Sequence, residues 1–369
     1  MASSLPPIFQ EILDLFFAPP PDNGNGDDSY KPPFPWFGGK SKIAPLIWER
    51  LGDVANYCEP FFGSGAMLFL RPTAPGIETV NDKDGMVSNF WRALQKGADA
   101  VARFADWPPN ENDLHARHSW LVGQKESLQE RLEGDPDFCD AKAAGWWVWG
   151  MACWIGGGFC SGDGPWTIED SKLVKKEKGD QLLHAGIGVK RQRLHLVGGQ
   201  GVNRQLLHLG DAGQAKGQCE TSSANLKAYM RLLADRLRLV RVCCGDFERV
   251  LGPSPTYKLG MTGVFLDPPY DRVAGRETVY THEDDSASAR AKNWAIKNGD
   301  NPLLRIAFCG YAGEHDEFPP TWGKVEWKTP GGYANQGDGR GRANRDRERV
   351  WFSPYCLKPA RPAQGDFLT

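Results

Sequence analysis

Tyr57-Cys58-Glu59-Pro60-Phe61-Phe62-Gly63-Ser64-Gly65-Ala66 reads as a short strand that breaks into a Gly-x-Gly turn before residues 66–70 resume with helix formers. A turn of this kind leaves unpaired backbone N–H groups at a helix N-terminus, where a carboxylate or phosphate is favoured. A second strand is expected over residues 77–80, ending at Asn81-Asp82. Asp82 follows the glycines by about 20 residues, the distance at which a doubly wound fold places the carboxylate that grips ribose hydroxyls. The pattern therefore predicts a ligand containing a nucleoside. It need not be a dinucleotide, because Leu68 stands where the third glycine of that fingerprint belongs.

Two flanking stretches add chemistry to this frame. Toward the N-terminus, Pro35-Trp36-Phe37-Gly38-Gly39-Lys40-Ser41 ends like a phosphate-binding loop, but Phe34 occupies the place of its first glycine and no strand precedes it. Gly38-Gly39 still allow close backbone approach to a ligand, with Lys40 leading into a helix over residues 43–51; a plain helix-capping loop is the alternative. Toward the C-terminus, Met261-Thr262-Gly263-Val264 lead into Phe265-Leu266-Asp267-Pro268-Pro269-Tyr270, an apolar strand that two prolines bring to a stop. Asp267 and the carbonyl of Pro268 are then two acceptors in fixed geometry, suited to an exocyclic amino group, and Tyr270 offers a ring on which a planar base stacks. The alternative is a strand that ends in a Pro-Pro turn with an ordinary solvated aspartate.

Composition sets the outer bounds. The 369 residues suffice for one large domain or a core domain carrying an insertion, and 40% hydrophobic content with a formal charge of -2 describes an ordinary soluble globular protein. No apolar run approaches the roughly 20 residues that cross a bilayer, so a cytoplasmic protein without membrane partners is expected. Nine cysteines with no Cys-x-x-Cys spacing point to reduced thiols, Cys243-Cys244 being buried hydrophobes in a strand, and no metal site is expected.

Trp36-Phe37-Gly38-Gly39-Lys40, Glu59-Pro60-Phe61-Phe62-Gly63-Ser64-Gly65 and Asp267-Pro268-Pro269-Tyr270, in that order, resemble the signature set of the Dam-like class of DNA adenine methyltransferases. The resemblance is dense over residues 34–95 and 238–355. It implies an α/β, Rossmann-like methyltransferase fold with a mostly parallel sheet, helices on both faces and an inserted target-recognition region. S-adenosyl-L-methionine is the implied methyl donor and adenine in DNA, flipped from the duplex, the implied acceptor. Trp36 and Lys40 would lie near the cofactor and active site, Phe61 to Gly65 around its methionine portion, and Asp82 on its ribose. Cys244-Gly245-Asp246-Phe247 is similar to the family's acid-aromatic pair, with Asp246 on the cofactor's adenine amino group and Phe247 beside the ring; an Asp-Phe pair that simply caps a short helix is the alternative. Asp267, Pro268, Pro269 and Tyr270 would form the catalytic tetrad.

The organisation that follows is a linker-like extension over residues 1–33, a catalytic domain over 34–110 and 220–369, and an inserted recognition region over 111–219. Within the insertion a polar helix is expected over residues 111–132 and a buried one over 140–155, whose Trp146, Trp147, Trp149 and Trp154 read more readily as core than as a base-stacking platform. Between residues 172 and 208 eight Lys and Arg face two acids, a local excess of six on a chain of net charge -2. Lys190, Arg191, Arg193 and Arg204 in that tract are the candidate DNA contacts. A polar flap is expected over residues 271–285, with Tyr280 and His282 in it, followed by a helix over 286–298. Strands are expected over 303–309, 324–328 and 350–353, the last two as an antiparallel pair. Rival functions are methylation of the cytosine amino group, methylation of RNA, a nucleotide-binding oxidoreductase on the same sheet, and a catalytically silent DNA-binding module. The recognised bases, the biological role (restriction-modification, regulation or protection of a mobile element) and the oligomeric state are open.

Overall fold

The computed structural model describes residues 32–34, 36, 39–73, 76–135, 137–154, 159–160, 166–169, 172–175, 218–269, 287–311, 317–327 and 348–359. The first thirty residues, the basic tract with Lys190, Arg191, Arg193 and Arg204, and the stretch from Tyr270 through Tyr280 and His282 lie outside the described residues.

Among the described residues, seven strands form one sheet. In chain order they are β1 (Asn56–Glu59), β2 (Ile77–Asp82), β5 (Arg241–Cys244), β6 (Thr262–Leu266), β7 (Leu304–Tyr311), β8 (Gly323–Glu326) and β9 (Glu348–Phe352); β3 (Trp166–Glu169) and β4 (Lys172–Lys175) make a separate antiparallel pair. The spatial order is β5-β2-β1-β6-β7-β9-β8. The first five are parallel, whereas β9 runs antiparallel to β7 and β8 antiparallel to β9. From β1 the chain builds outward through β2 to β5, then returns to the other side of β1 to lay down β6 and β7. The reversal makes the β1/β6 boundary the topological switch point, where open α/β sheets bind ligands beyond the carboxyl ends of their strands.

Alternation along the strands sends neighbouring side chains to opposite faces. Tyr57, Phe265, Ala307, Val350 and Phe352 join one core cluster, while Cys58, Val264, Leu266, Ile306, Phe308 and Trp351 join the other. The first face carries α1 (Ala44–Leu51), α2 (Ala66–Phe69), α3 (Gly85–Ala105), α4 (Glu111–Gly134), α5 (Ala141–Cys153) and α6 (Gln218–Leu237). The second carries α7 (Ala287–Asn298), which contributes Ala287, Ala291 and Ala295, and the short 3-10 helix Phe247–Val250. The doubly wound arrangement expected from the sequence is thus the observed one.

The long helix α3 organises the larger core. Asp84 caps it through its carboxylate, which accepts from the Met86 N–H at 2.8 Å, and Phe90, Trp91 and Leu94 are wholly buried. The helix kinks at Gly97, whose backbone leaves helical geometry. Helix α5 approaches it so closely that a Cβ at Gly145 would lie 2.7 Å from the Val101 carbonyl oxygen, so only glycine fits there. Trp147 and Trp149 of α5 are buried, as core residues are, and the Arg117 guanidinium of α4 lies 4.3 Å from the Trp149 ring centroid.

A buried charge cluster ties this layer to the sheet. Glu78 of β2 is held by Arg236 of α6 at 2.6 Å and by Arg71 at 3.0 Å, all three side chains being at most 8% exposed. Two cations around one carboxylate depend on it for their compensation. Glu78→Ala is expected to lower unfolding stability by about 3–5 kcal/mol, because it strands both arginines in the interior. Urea denaturation checks this, and a loss under about 1 kcal/mol would count against the cluster's role.

Candidate active site

Four loops converge at the carboxyl edge of the sheet. The first follows β1, where Pro60, Phe61 and Phe62 lead into a left-handed Gly63 (φ 49°) and a left-handed Gly65 (φ 74°) that opens α2. Both positions demand glycine twice over, because a Cβ on Gly63 would lie 2.4 Å from Trp36 Nε1 and one on Gly65 would lie 2.9 Å from the Phe62 ring. The Trp36 indole therefore rests directly on the turn. From α3, the Trp91 Nε1–H donates to the Gly63 carbonyl at 2.9 Å and fixes the turn from behind.

The second loop follows β2 and is laced to the first. Gly63 N–H donates to Asp82 Oδ2 at 2.9 Å, and Asp84 N–H donates to Asp82 Oδ1 at the same distance. Lys83 N–H also bears on this carboxylate, and its two oxygens, with about four acceptor sites between them, keep capacity for a further donor such as a ribose hydroxyl. Asn81 is buried and its Nδ2 donates both to Pro60 O at 3.1 Å and to Gly245 O at 3.0 Å, stapling the first loop to the third. Its Oδ1 is buried with no hydrogen-bond partner among the described residues.

The third loop follows β5. Gly245 N–H donates to the Asp82 carbonyl at 3.1 Å, which brings Asp246 and Phe247 to the same edge. Asp246 caps the 3-10 helix by accepting from Glu248 N–H at 3.0 Å, and it receives Arg290 of α7 on both oxygens at 2.9 Å. Phe247 is 4% exposed, with Phe61 5.0 Å away between ring centroids and the Arg290 guanidinium 4.9 Å from its own. The helix-capping alternative is thus realised, and the acid-aromatic pair stands beside Phe61 as well.

The fourth is the exit of β6. Asp267 leaves the strand half-buried, and its Oδ2 forms an ion pair with Lys40 Nζ at 2.9 Å. Lys40 is 3% exposed and placed by the start of α1, where its carbonyl accepts from Ala44 N–H at 2.9 Å. Burial alone would lower its pKa, but the charges of Asp267 and Glu348 outweigh that and hold the ammonium protonated. Pro268 is buried and Pro269 half-buried behind the aspartate; Tyr270 lies outside the described residues. Trp36, Lys40, Phe61, Gly63, Gly65, Asp82, Asp246, Phe247 and Asp267 therefore share one edge of the sheet, on either side of the switch point.

Glu59, the last residue of β1, stands in the quoted motif but carries no role in the sequence reading. It is 2% exposed and accepts from the Tyr57 hydroxyl at 3.0 Å; burial, with Asp267 adding its negative charge, pushes its carboxyl well above the usual range. Its signal was an acid inside an otherwise apolar strand. Asn81 and Trp91 carried no local mark, because their hydrogen bonds reach across the fold.

The Gly63 and Gly65 cradle, the spare acceptor capacity of Asp82 and the orphan Asn81 Oδ1 together suit a nucleoside bearing hydroxyl and amino donors. Desolvation by its surroundings pushes the Asp82 carboxyl up to about 7, against the backbone N–H donors that would lower it, although the side chain keeps some exposed surface. The folded state thus binds a proton that the unfolded chain releases near pH ~4, so this contribution is present at low pH and lost as pH rises toward 7. Asp82→Asn should flatten that fall: the stability difference between the variant and wild type should shift in the variant's favour between about pH 5 and about pH 8. Denaturant unfolding at the two pH values tests it, and a difference independent of pH would refute the assignment.

Residues 36–117 match the family model of the D12 class N6 adenine-specific DNA methyltransferases. A search of curated proteins returned no significant match. The matched span holds Trp36, Lys40, Phe61, Gly63, Gly65 and Asp82, while Asp246 and Asp267 fall beyond it and reach the same edge through the fold. With the mostly parallel seven-stranded sheet, the match over residues 36–117 supports a DNA adenine methyltransferase.

Proposed function

We propose that the protein methylates the exocyclic amino group of adenine at specific sites in DNA, with S-adenosyl-L-methionine as donor, after the base has been flipped from the helix. The observation that carries this reading is the Lys40–Asp267 ion pair at the switch point, beside the glycine turn and Asp82. When bound, the donor supplies a methyl group activated by a sulfonium. Gly63 and Gly65 admit its amino-acid portion against the open turn, and Asp82 accepts from its ribose hydroxyls.

Adenine's amino nitrogen is a weak nucleophile because its lone pair is delocalised into the ring. Asp267 and the Pro268 carbonyl accept from that amino group, orient the lone pair toward the methyl carbon and offset the positive charge that grows on nitrogen. The donor, held at Gly63, Gly65 and Asp82, would supply the methyl group to that nitrogen and keep the bonding pair on its sulfur as a neutral thioether, and the proton the nitrogen loses would pass to solvent water. Lys40 pins one oxygen of Asp267, so that the other faces the base in a set direction. The two prolines stiffen this exit, and Tyr270 replaces the stacking lost when the base leaves the duplex.

Residues 34–110 and 220–369 act as the catalytic domain and 111–219 as the recognition region, with Lys190, Arg191, Arg193 and Arg204 on phosphates and bases. The enzyme works in the cytoplasm on the cell's own or invading DNA. Expressing it in cells that lack adenine methylation, then digesting their DNA for mass analysis and sequencing it for modified bases, tests the reading. N6-methyladenine at one sequence is expected with wild type, and at least about a hundredfold less with Asp267→Ala. Methylated cytosine, methylated RNA alone, or an undiminished Asp267→Ala would overturn it.

A further inference from the structure

The loop after β5 lies directly beside the Asp82 loop, joined to it by the Gly245 N–H on the Asp82 carbonyl at 3.1 Å and by Asn81 Nδ2 on the Gly245 carbonyl at 3.0 Å. A nucleoside whose ribose hydroxyls rest on Asp82 therefore carries its base toward Asp246 and Phe247, a carboxylate to accept from an amino group and a ring to lie against. Both are engaged by one side chain of α7. Arg290 Nη2 donates to Asp246 Oδ1 and Oδ2 at 2.9 Å each, its Nε donates to Glu248 Oε1 at 2.9 Å, and its guanidinium carbon lies 4.9 Å from the Phe247 ring centroid.

These bonds do not compensate a buried charge. The side chains of Asp246 and Glu248 are 39% and 52% exposed, so water solvates both carboxylates with or without Arg290, and ion pairs at such exposure add little to stability. What the arrangement does have is the chemistry of a ligand. A guanidinium is flat, offers in-plane N–H donors to a carboxylate and lays its face on an aromatic ring, and an aminopurine would meet the same two groups in the same way. Helix α7 itself is anchored, because Ala287, Ala291 and Ala295 are buried in the second core cluster. Movement there falls to the Arg290 side chain, which is one-third exposed and keeps its bond to Glu248 when it gives up Asp246.

We infer that Arg290 is a latch on the base subsite of the methyl donor: its guanidinium holds the adenine's place on Asp246 and Phe247 and turns aside when the cofactor is seated. The inference rests on the methyltransferase reading above. Arg290 thereby lowers the apparent affinity for the donor and for its spent form alike, by the fraction of molecules in which the latch is open. It touches neither the methyl group nor the acceptor base, and so sets affinity and not the rate of transfer.

Calorimetric titration without DNA tests this, using S-adenosylmethionine and S-adenosylhomocysteine against wild type, Arg290→Met and Arg290→Gln, with thermal melting to establish folding. Either variant that folds carries the test, since both remove the competing guanidinium. Binding of both nucleosides should tighten by about fivefold at low salt, and the gap to wild type should close to under about twofold near 1 M NaCl, where exposed ion pairs are screened. Unchanged or weaker binding in the variants, as a merely structural role or a clamp on the base would give, or a gain that salt leaves untouched, overturns the inference while leaving the donor reading intact. A wild-type protein that binds neither nucleoside overturns the donor reading and the inference with it.

Discussion

The ion pair between Lys40 and Asp267 is the constraint on which the arrangement of the site depends. It joins the segment ahead of α1 to the exit of β6, two pieces far apart along the chain that meet where α1 packs on the sheet beside β7. Burying such a pair adds little to stability, since desolvation of two ions consumes most of their attraction. What it provides is direction. Asp267 could otherwise turn on its side-chain bonds, and a pinned carboxylate faces a ligand in one orientation. Around that pair the glycine turn, Asn81 and Asp82 form a hydrogen-bonded lattice whose geometry is set by the main chain.

Much of this architecture was readable because its determinants are local. Gly63 and Gly65 announce left-handed backbone, the Pro268-Pro269 pair announces the end of a strand, and the apolar runs at β6 and β7 mark buried parallel strands. The spacing from Gly63 to Asp82 puts the acid at the end of β2 beside the glycine turn, because a short α2 and a strand of ordinary length fill that interval. The antiparallel ending of the sheet at β8 and β9 was also legible.

What escaped is equally physical. The sequence reading assigned no element to residues 85–105, although Asp84 is a fair cap and Phe90, Trp91 and Leu94 share a helical face; Gly97 interrupts the periodicity that would have marked the whole span. The strand pair β3–β4 falls in a stretch of the insertion for which no strand was expected from the sequence. Glu59 and Glu348 gain their character from burial and from charges on other strands. No window of sequence holds that information. The same holds for Asp246, whose bond to Arg290 depends on where α7 docks.

The order of strands at the far end of the sheet has a consequence for biosynthesis. β8 is made before β9 but, among the described residues, its strand partner is β9, because β9 inserts between β8 and β7. Until the ribosome has delivered residues 348–352, the β7 edge that β9 covers stays unpaired, and β8 lacks the strand it joins in the sheet. A nascent polypeptide at that stage already carries the glycine turn and the tetrad, yet exposes the kind of sticky border that invites association with other chains. Protection of that border is therefore a late event, tied to the delivery of β9.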